Sequence, residues 1–147
     1  MSFAAASAAM PGPPIDGQAV CPWYALVLSV ADPGLYVAAI TRADDPGAAI
    51  YMFKMSWQGD PTAAAGFGAP ATVKGISVGS TTAQVMAAYP SATSVSFNDI
   101  SRGPRTQLIV AGPGGTSMIV DVTSGAVSDM YWGKGIPQGV NGELCSL

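Results

Sequence analysis

The sequence predicts an α+β domain: an antiparallel sheet of about seven strands in two meanders, with one short helix, Thr81–Tyr89, packed on it. Three observations carry this expectation. Short apolar-rich runs recur along the chain, clusters of Gly, Pro and Asp punctuate them, and a single stretch combines helical spacing with a start and a stop signal.

That stretch is GISVGSTTAQVMAAYP, Gly75–Pro90. Thr81-Thr82-Ala83-Gln84 fits a capping box, in which the Thr81 hydroxyl accepts from an early N–H and Gln84 reaches back to the Thr81 N–H. Val85, Ala88 and Tyr89 then form one apolar stripe, with Met86 on its flank. Pro90 ends the helix, because its ring disfavours a helical Tyr89 and it has no N–H to continue the ladder. A helix this short does not persist alone in water, so its stripe must pack on the strands.

Before the helix come Trp23–Val30, Leu35–Thr41 and Ala48–Met55, separated by Asp-Pro-Gly turns. In the third run Ile50 and Met52 lie on one side and Tyr51, Phe53 and Met55 on the other. A strand apolar on both faces is expected to be buried on both. One short helix cannot cover two faces, so either the sheet folds back on itself or another subunit covers the remainder. Ser56–Pro70 is a long connection carrying Trp57 and Phe67, read as an aromatic-tipped binding loop or as aromatics tucked onto the core.

After the helix come Ser94–Asn98, Thr106–Ala111, Ser117–Val122 and Val127–Trp132. Their turns are Arg102-Gly103-Pro104, Gly112-Pro113-Gly114-Gly115 and Thr123-Ser124-Gly125. Val127 and Met130 break strict alternation, which predicts a bulge.

The totals narrow the possibilities. The 147 residues suit one domain, 20–147, behind an Ala/Pro/Gly-rich leader, 1–19, that is expected to be disordered. Ala6-Ser7-Ala8 has the small-x-small form of a signal-peptide cleavage site. Gln18 stands where a lipoprotein box needs Leu, which disfavours a lipid anchor on Cys21. Six basic residues against nine acidic ones, with no basic block, exclude a nucleic-acid-binding face. No apolar run is long enough to be a membrane-spanning segment. Charged residues are only 10% of the chain, so either Ser, Thr, Gly and Asp supply its solubility or some apolar surface is covered by a partner. Cys21 and Cys145 are expected to form an end-to-end disulfide, worth about 4–5 kcal/mol in the chain-entropy model, and two free thiols are the alternative. A disulfide implies an oxidising location, extracellular or in the cell envelope.

The order Gly-Ile-x-Val-Gly-Ser-Thr, helix, Tyr-Pro, strand meander resembles a unit of small exported bacterial domains. It is similar to the helix-plus-strands unit of β-lactamase-inhibitor-protein-like folds and of small outer-membrane assembly lipoproteins. The resemblance covers roughly Thr72–Cys145 and implies an antiparallel sheet packed by a helix. The inhibitor proteins carry two such units, each with a disulfide, whereas this chain shows one helix signature and one cysteine pair. Inhibition of a β-lactamase is therefore not implied.

Gly75-Ile76-Ser77-Val78-Gly79 matches the nucleophile elbow of hydrolases, which needs a strand–turn–helix setting and a base. The chain has no His, and Lys74 stands three residues before Ser77, an odd separation that turns the two side chains to opposite faces of a strand. Asp32, Asp44 and Asp45 read as turn formers before they read as calcium ligands. Asp121 and Asp129 read as exposed strand-end residues. The glycines at 112–115 lack the Lys of a phosphate loop. The seven methionines are scattered across elements and read as core filling, not as a metal site. No metal, cofactor or small-molecule substrate is implied.

The expected function is that of a non-enzymatic exported or surface domain acting through protein–protein binding, with another protein or a second copy. It would serve as a surface factor or as a subunit of a larger envelope or particle assembly. Trp57, Phe67 and Trp132 are the candidate contact residues. The alternative is a secreted serine-type hydrolase using Ser77, or a hydrolase using an aspartate pair.

Overall fold

The computed structural model describes residues 19–21, 24–30, 34–42, 49–99 and 103–137. Its strands are β1 (Ala19–Cys21), β2 (Tyr24–Val30), β3 (Leu35–Ile40), β4 (Met52–Trp57), β5 (Thr93–Asp99), β6 (Gly103–Ala111), β7 (Thr116–Thr123) and β8 (Ala126–Lys134). A 3-10 turn, Pro61–Ala64, and one α-helix, α1 (Thr82–Ala88), lie between β4 and β5. All strand pairs are antiparallel, in the order β1-β2-β3-β4-β8-β7-β6-β5. Two meanders are thus fused into one continuous sheet by the β4–β8 pair.

The architecture is the expected antiparallel sheet with one helix, and three details are corrected. Among the described residues the sheet has eight strands, not about seven, because the short β1 pairs with β2. The third run is Met52–Trp57, later than Ala48–Met55, because residues 49–51 lead into the strand without joining it. Gly103 and Pro104 belong to β6, opposite Asp99 and Asn98, where a turn was expected. Pro104 lies outside the register that β7 shares with β6, where a residue without an N–H is tolerated. The leader through Gln18, Trp23, Asp32, Asp44, Asp45 and Cys145 lie outside the described residues.

The sheet has two different faces. On one, Leu35, Val37, Ala39, Met55, Trp57, Leu108, Val120, Val127 and Met130 pack against Ala64, Ile76, Val78 and Val85. Helix α1 docks here through Val85, which is fully buried, while Ala88 and Tyr89 pack at its margin. The capping box forms as predicted: Gln84 N donates to Thr81 Oγ1 at 3.2 Å and Thr81 N donates to Gln84 Oε1 at 2.7 Å. The helix closes one residue early, with Tyr89 as its cap. There Lys74 Nζ donates to the Ala88 carbonyl at 2.6 Å and sits 4.7 Å from the Tyr89 ring centroid, a cation at the negative helix end.

The helix entry is sewn to the β7–β8 hairpin. Gly79 N donates to Val127 O and Val127 N donates to Ser80 O, both at 2.8 Å, and Thr82 N donates to Gly125 O at 3.2 Å. Gly79 is required here twice over. Its φ is +83°, and a Cβ would lie 2.5 Å from Ala65 N.

On the opposite face Ala38, Ile40, Met52, Ile119 and Tyr131 form a second, smaller cluster, each at most 1% exposed. β4 is buried on both faces, as expected, yet this face carries Lys54 and Ser56 between its apolar residues. The chain itself buries the face that the helix leaves uncovered. Of the two expected alternatives, no second subunit is required for it. Among the described residues no helix is long and apolar enough to cross a membrane.

Candidate functional site

Strand alternation and register assemble a charged cluster on the second face. Ser56 stands opposite Asp129, Asp129 opposite Asp121, and Asp121 opposite Gln107, so one polar row crosses β4, β8, β7 and β6. Lys54 is opposite Tyr131 on the next row, and Arg105 reaches in from β6. Lys54, Asp129, Asp121, Arg105 and Asp99 are all buried. Asp121 and Asp129, expected as exposed strand-end residues, are 0% and 1% exposed. They flank the hairpin as expected, but their side chains point to the covered face.

The contacts are dense. Lys54 Nζ lies 3.3 Å from Asp129 Oδ1 and donates to Tyr36 Oη at 3.2 Å. Ser56 Oγ donates to Asp129 Oδ1 at 2.5 Å. Arg105 Nη2 is 3.3 Å from Asp121 Oδ2 and 3.4 Å from Asp129 Oδ2, while Nη1 is 3.8 Å from Asp99 Oδ2. The predicted bulge is present between Asp121 and Val122, whose partners are Asp129 and Val127, so Ser128 is the extra residue. It turns the Ser128 hydroxyl into the cluster, where it accepts from Arg105 Nη2 at 3.1 Å and donates to Asp129 Oδ2 at 2.9 Å.

Two cations face three carboxylates, and the proton affinities divide accordingly. Burial pushes Asp121 up to about 6, against the opposing pull of Arg105. Burial would raise Asp129 as well, but Lys54, the Ser56 and Ser128 hydroxyls and Arg105 together hold it below the usual carboxylate value. Burial, then Asp129 and Asp121, drive Tyr131 well above an ordinary phenol. Its hydroxyl has no hydrogen-bond partner among the described residues. Beside the cluster opens a cleft of about 490 Å³ lined by Tyr36, Ser56, Trp57, Arg105, Thr123 and Ser128. It offers hydroxyl and guanidinium groups, with the carboxylates set behind them.

The expected contact residues fall in two places. Trp57 is buried, with Nε1 donating to Asp60 O at 3.1 Å, and Phe67 meets it edge-on at 5.5 Å while remaining 41% exposed. Trp132 is half-buried, stacks on Phe53 at 5.8 Å, and lies apart from that pair. With Met55, Met118 and Met130 it lines a groove of about 330 Å³ on the helix-bearing face, closed on the other side by Pro70, Ala71 and Thr72.

Ser77 lies in a turn-rich approach to the helix, not at the end of a strand. Its hydroxyl donates to Pro70 O at 2.7 Å, and Lys74 is held at the helix end. Among the described residues no group of three or more His, Cys, Asp or Glu side chains is placed to hold a metal ion.

No protein-family model matches the chain, and no curated protein or solved structure shows significant similarity to it.

Proposed function

We propose that this chain is a non-enzymatic exported or surface domain that acts by binding a protein partner, in the extracellular space or the cell envelope. The observation that carries this reading is the connection between Asp60 and Lys74. No charged residue lies between those two positions, Val73 is fully exposed, and Phe67 stands 41% exposed on a buried Trp57. Exposed aromatic and aliphatic groups, one of them resting on a buried Trp, with charge kept to the ends, match the composition of interface cores. The Ser77 hydrolase reading is weaker, because the hydroxyl is committed to a backbone carbonyl and no basic side chain touches it among the described contacts.

The test places benzoylphenylalanine, a photo-crosslinking residue, at position 67 or 73 in the producing cell. A crosslinked species of one defined mass is expected from both positions and not from the exposed β5 position Ser96. Equal crosslinking from all three, or a serine-reactive phosphonate attached to Ser77, would sink the reading.

A further inference from the structure

The two edges of the sheet are guarded unequally. Among the described residues β1 forms one edge with three residues and β5 forms the other with seven. A very short edge strand offers an approaching chain little to pair with, whereas a long one presents a row of unpaired N–H and C=O groups. The usual guards against such pairing are absent from β5. Thr93–Asp99 contains no Lys, Arg or Pro, and its register with β6 runs from Thr93 to Asp99 without a bulge. Its one charge, Asp99, is the last residue and is buried, with Oδ2 3.8 Å from Arg105 Nη1. The flanking chain is equally bare of charge. From Pro61 to Asn98 the only charged residue is Lys74, and its ammonium is tied to the end of α1.

The strand is also complementary to itself. Ser96 is its middle residue, so a two-fold axis there sets two copies antiparallel along their whole length. Val95 then stands opposite the other copy's Phe97, Ser94 opposite Asn98, and Thr93 opposite Asp99. Cross-strand partners share a face, so the half-buried Val95 and Phe97 meet on the side where they already stand opposite Gln107 and Arg105 of β6. An aromatic ring against a β-branched side chain is a favourable cross-strand pair. No like charges face each other, because the two Asp99 carboxylates fall at opposite ends, about 20 Å apart along the strands. We propose that β5 is a homodimerisation edge, at which two copies of this chain join β5 to β5 about a two-fold axis at Ser96 and merge their sheets. One stretch satisfies both sides of the contact, which is what a closed, isologous interface needs and an unrelated strand does not supply. The edge is independent of the Phe67–Val73 surface proposed above.

The experiment follows the full chain by sedimentation velocity from micromolar to roughly millimolar concentration, with amide hydrogen exchange recorded at both ends of the range. A dimer whose fraction rises with concentration is expected, and the β5 amides directed away from β6 should gain protection with it. Ser96→Lys sets two ammonium groups opposite each other at the axis, at an exposed position that leaves the fold intact. It should weaken the dimer about tenfold or more without changing the monomer's melting curve. Ser96→Thr puts a β-branched pair at the same place and should keep or tighten the dimer. The proposal is overturned by a monomer throughout, by equal association of Ser96→Lys, or by protection gained away from β5. Crosslinks separate this edge from the other surface. A product from position 96 at twice the chain mass belongs to β5, and a product shared by positions 67 and 73 belongs to the Phe67–Val73 surface.

Discussion

Lys54 Nζ and Asp129 Oδ1 meet at 3.3 Å where β4 joins β8, with each side chain 1% exposed. This pair sits on the only junction between the two meanders among the described strands. Removing one member strands the other's charge in the interior, which typically costs about 3–5 kcal/mol. Lys54→Met and Asp129→Asn are each expected to destabilise by that amount in denaturant melts. The double variant should lose less than the sum of the two, since the groups share one network. Strict additivity would show that the pair is not coupled.

Asp121 gives the domain a distinctive acid response. Its folded value of about 6 exceeds the ordinary 3.8, so the folded state holds that proton more tightly than the unfolded chain. Stability from this group therefore falls as pH rises from about 4 to about 6 and is level above, a change of roughly 3 kcal/mol. Asp129 acts in the opposite sense. Its lowered folded value contributes stability above the unfolded pKa that is lost as pH falls through the folded one. Urea melts between pH 4 and 7 should show the Asp121 slope, and Asp121→Asn should abolish it.

Ser128 is placed by the bulge, and its hydroxyl touches Arg105, Asp129 and Thr123. Ser128→Ala leaves the buried Arg105 and Asp129 short of a partner and should destabilise by about 1–3 kcal/mol. Substitution of the exposed neighbour Ser124 by Gly, at φ +53°, should be neutral or stabilising, because glycine accepts that backbone without strain. Thermal melts should fall for Ser128→Ala and stay level or rise for Ser124→Gly.

The helix depends on its cap and on one anchor. Thr81→Ala breaks the reciprocal Thr81–Gln84 bonds and should cost about 1 kcal/mol. Val85→Ala removes two buried carbons from a side chain with no exposure and should cost about 2 kcal/mol. Amide exchange in α1 should accelerate in both before global unfolding does. Unchanged exchange in Val85→Ala would mean that the helix is held by its backbone bonds to the hairpin.

Much of this architecture is readable from residues. The capping box, Pro90, the Gly-rich turns and the bulge near Val127 each rest on local chemistry, and local chemistry is what a sequence displays. The second face was not readable in the same way. Lys54, Arg105, Asp121 and Asp129 come from four different strands, and only the register of those strands brings them together. A signal did exist: Met52-x-Lys54-x-Ser56 and Ile119-x-Asp121 place a charge in line with apolar residues on one side of a strand. A third run bounded at Ala48–Met55 is dominated by the apolar pairs Ile50/Met52 and Tyr51/Phe53 and ends before Ser56 completes the pattern. For the aromatics the outcome depended on tertiary placement. Trp57 and Phe67 meet through the loop, and Trp132 keeps company with methionines from three strands.

Every strand pairing in the sheet links neighbours along the chain except β4 with β8, where Ser56 bonds to Asp129 across 73 positions. Hairpins zip within microseconds, but this seam has to wait until the intervening segment has been brought round. Refolding should therefore be limited by that one closure, and its speed should respond to changes at the seam. Changes within the outer hairpins should mainly hasten unfolding.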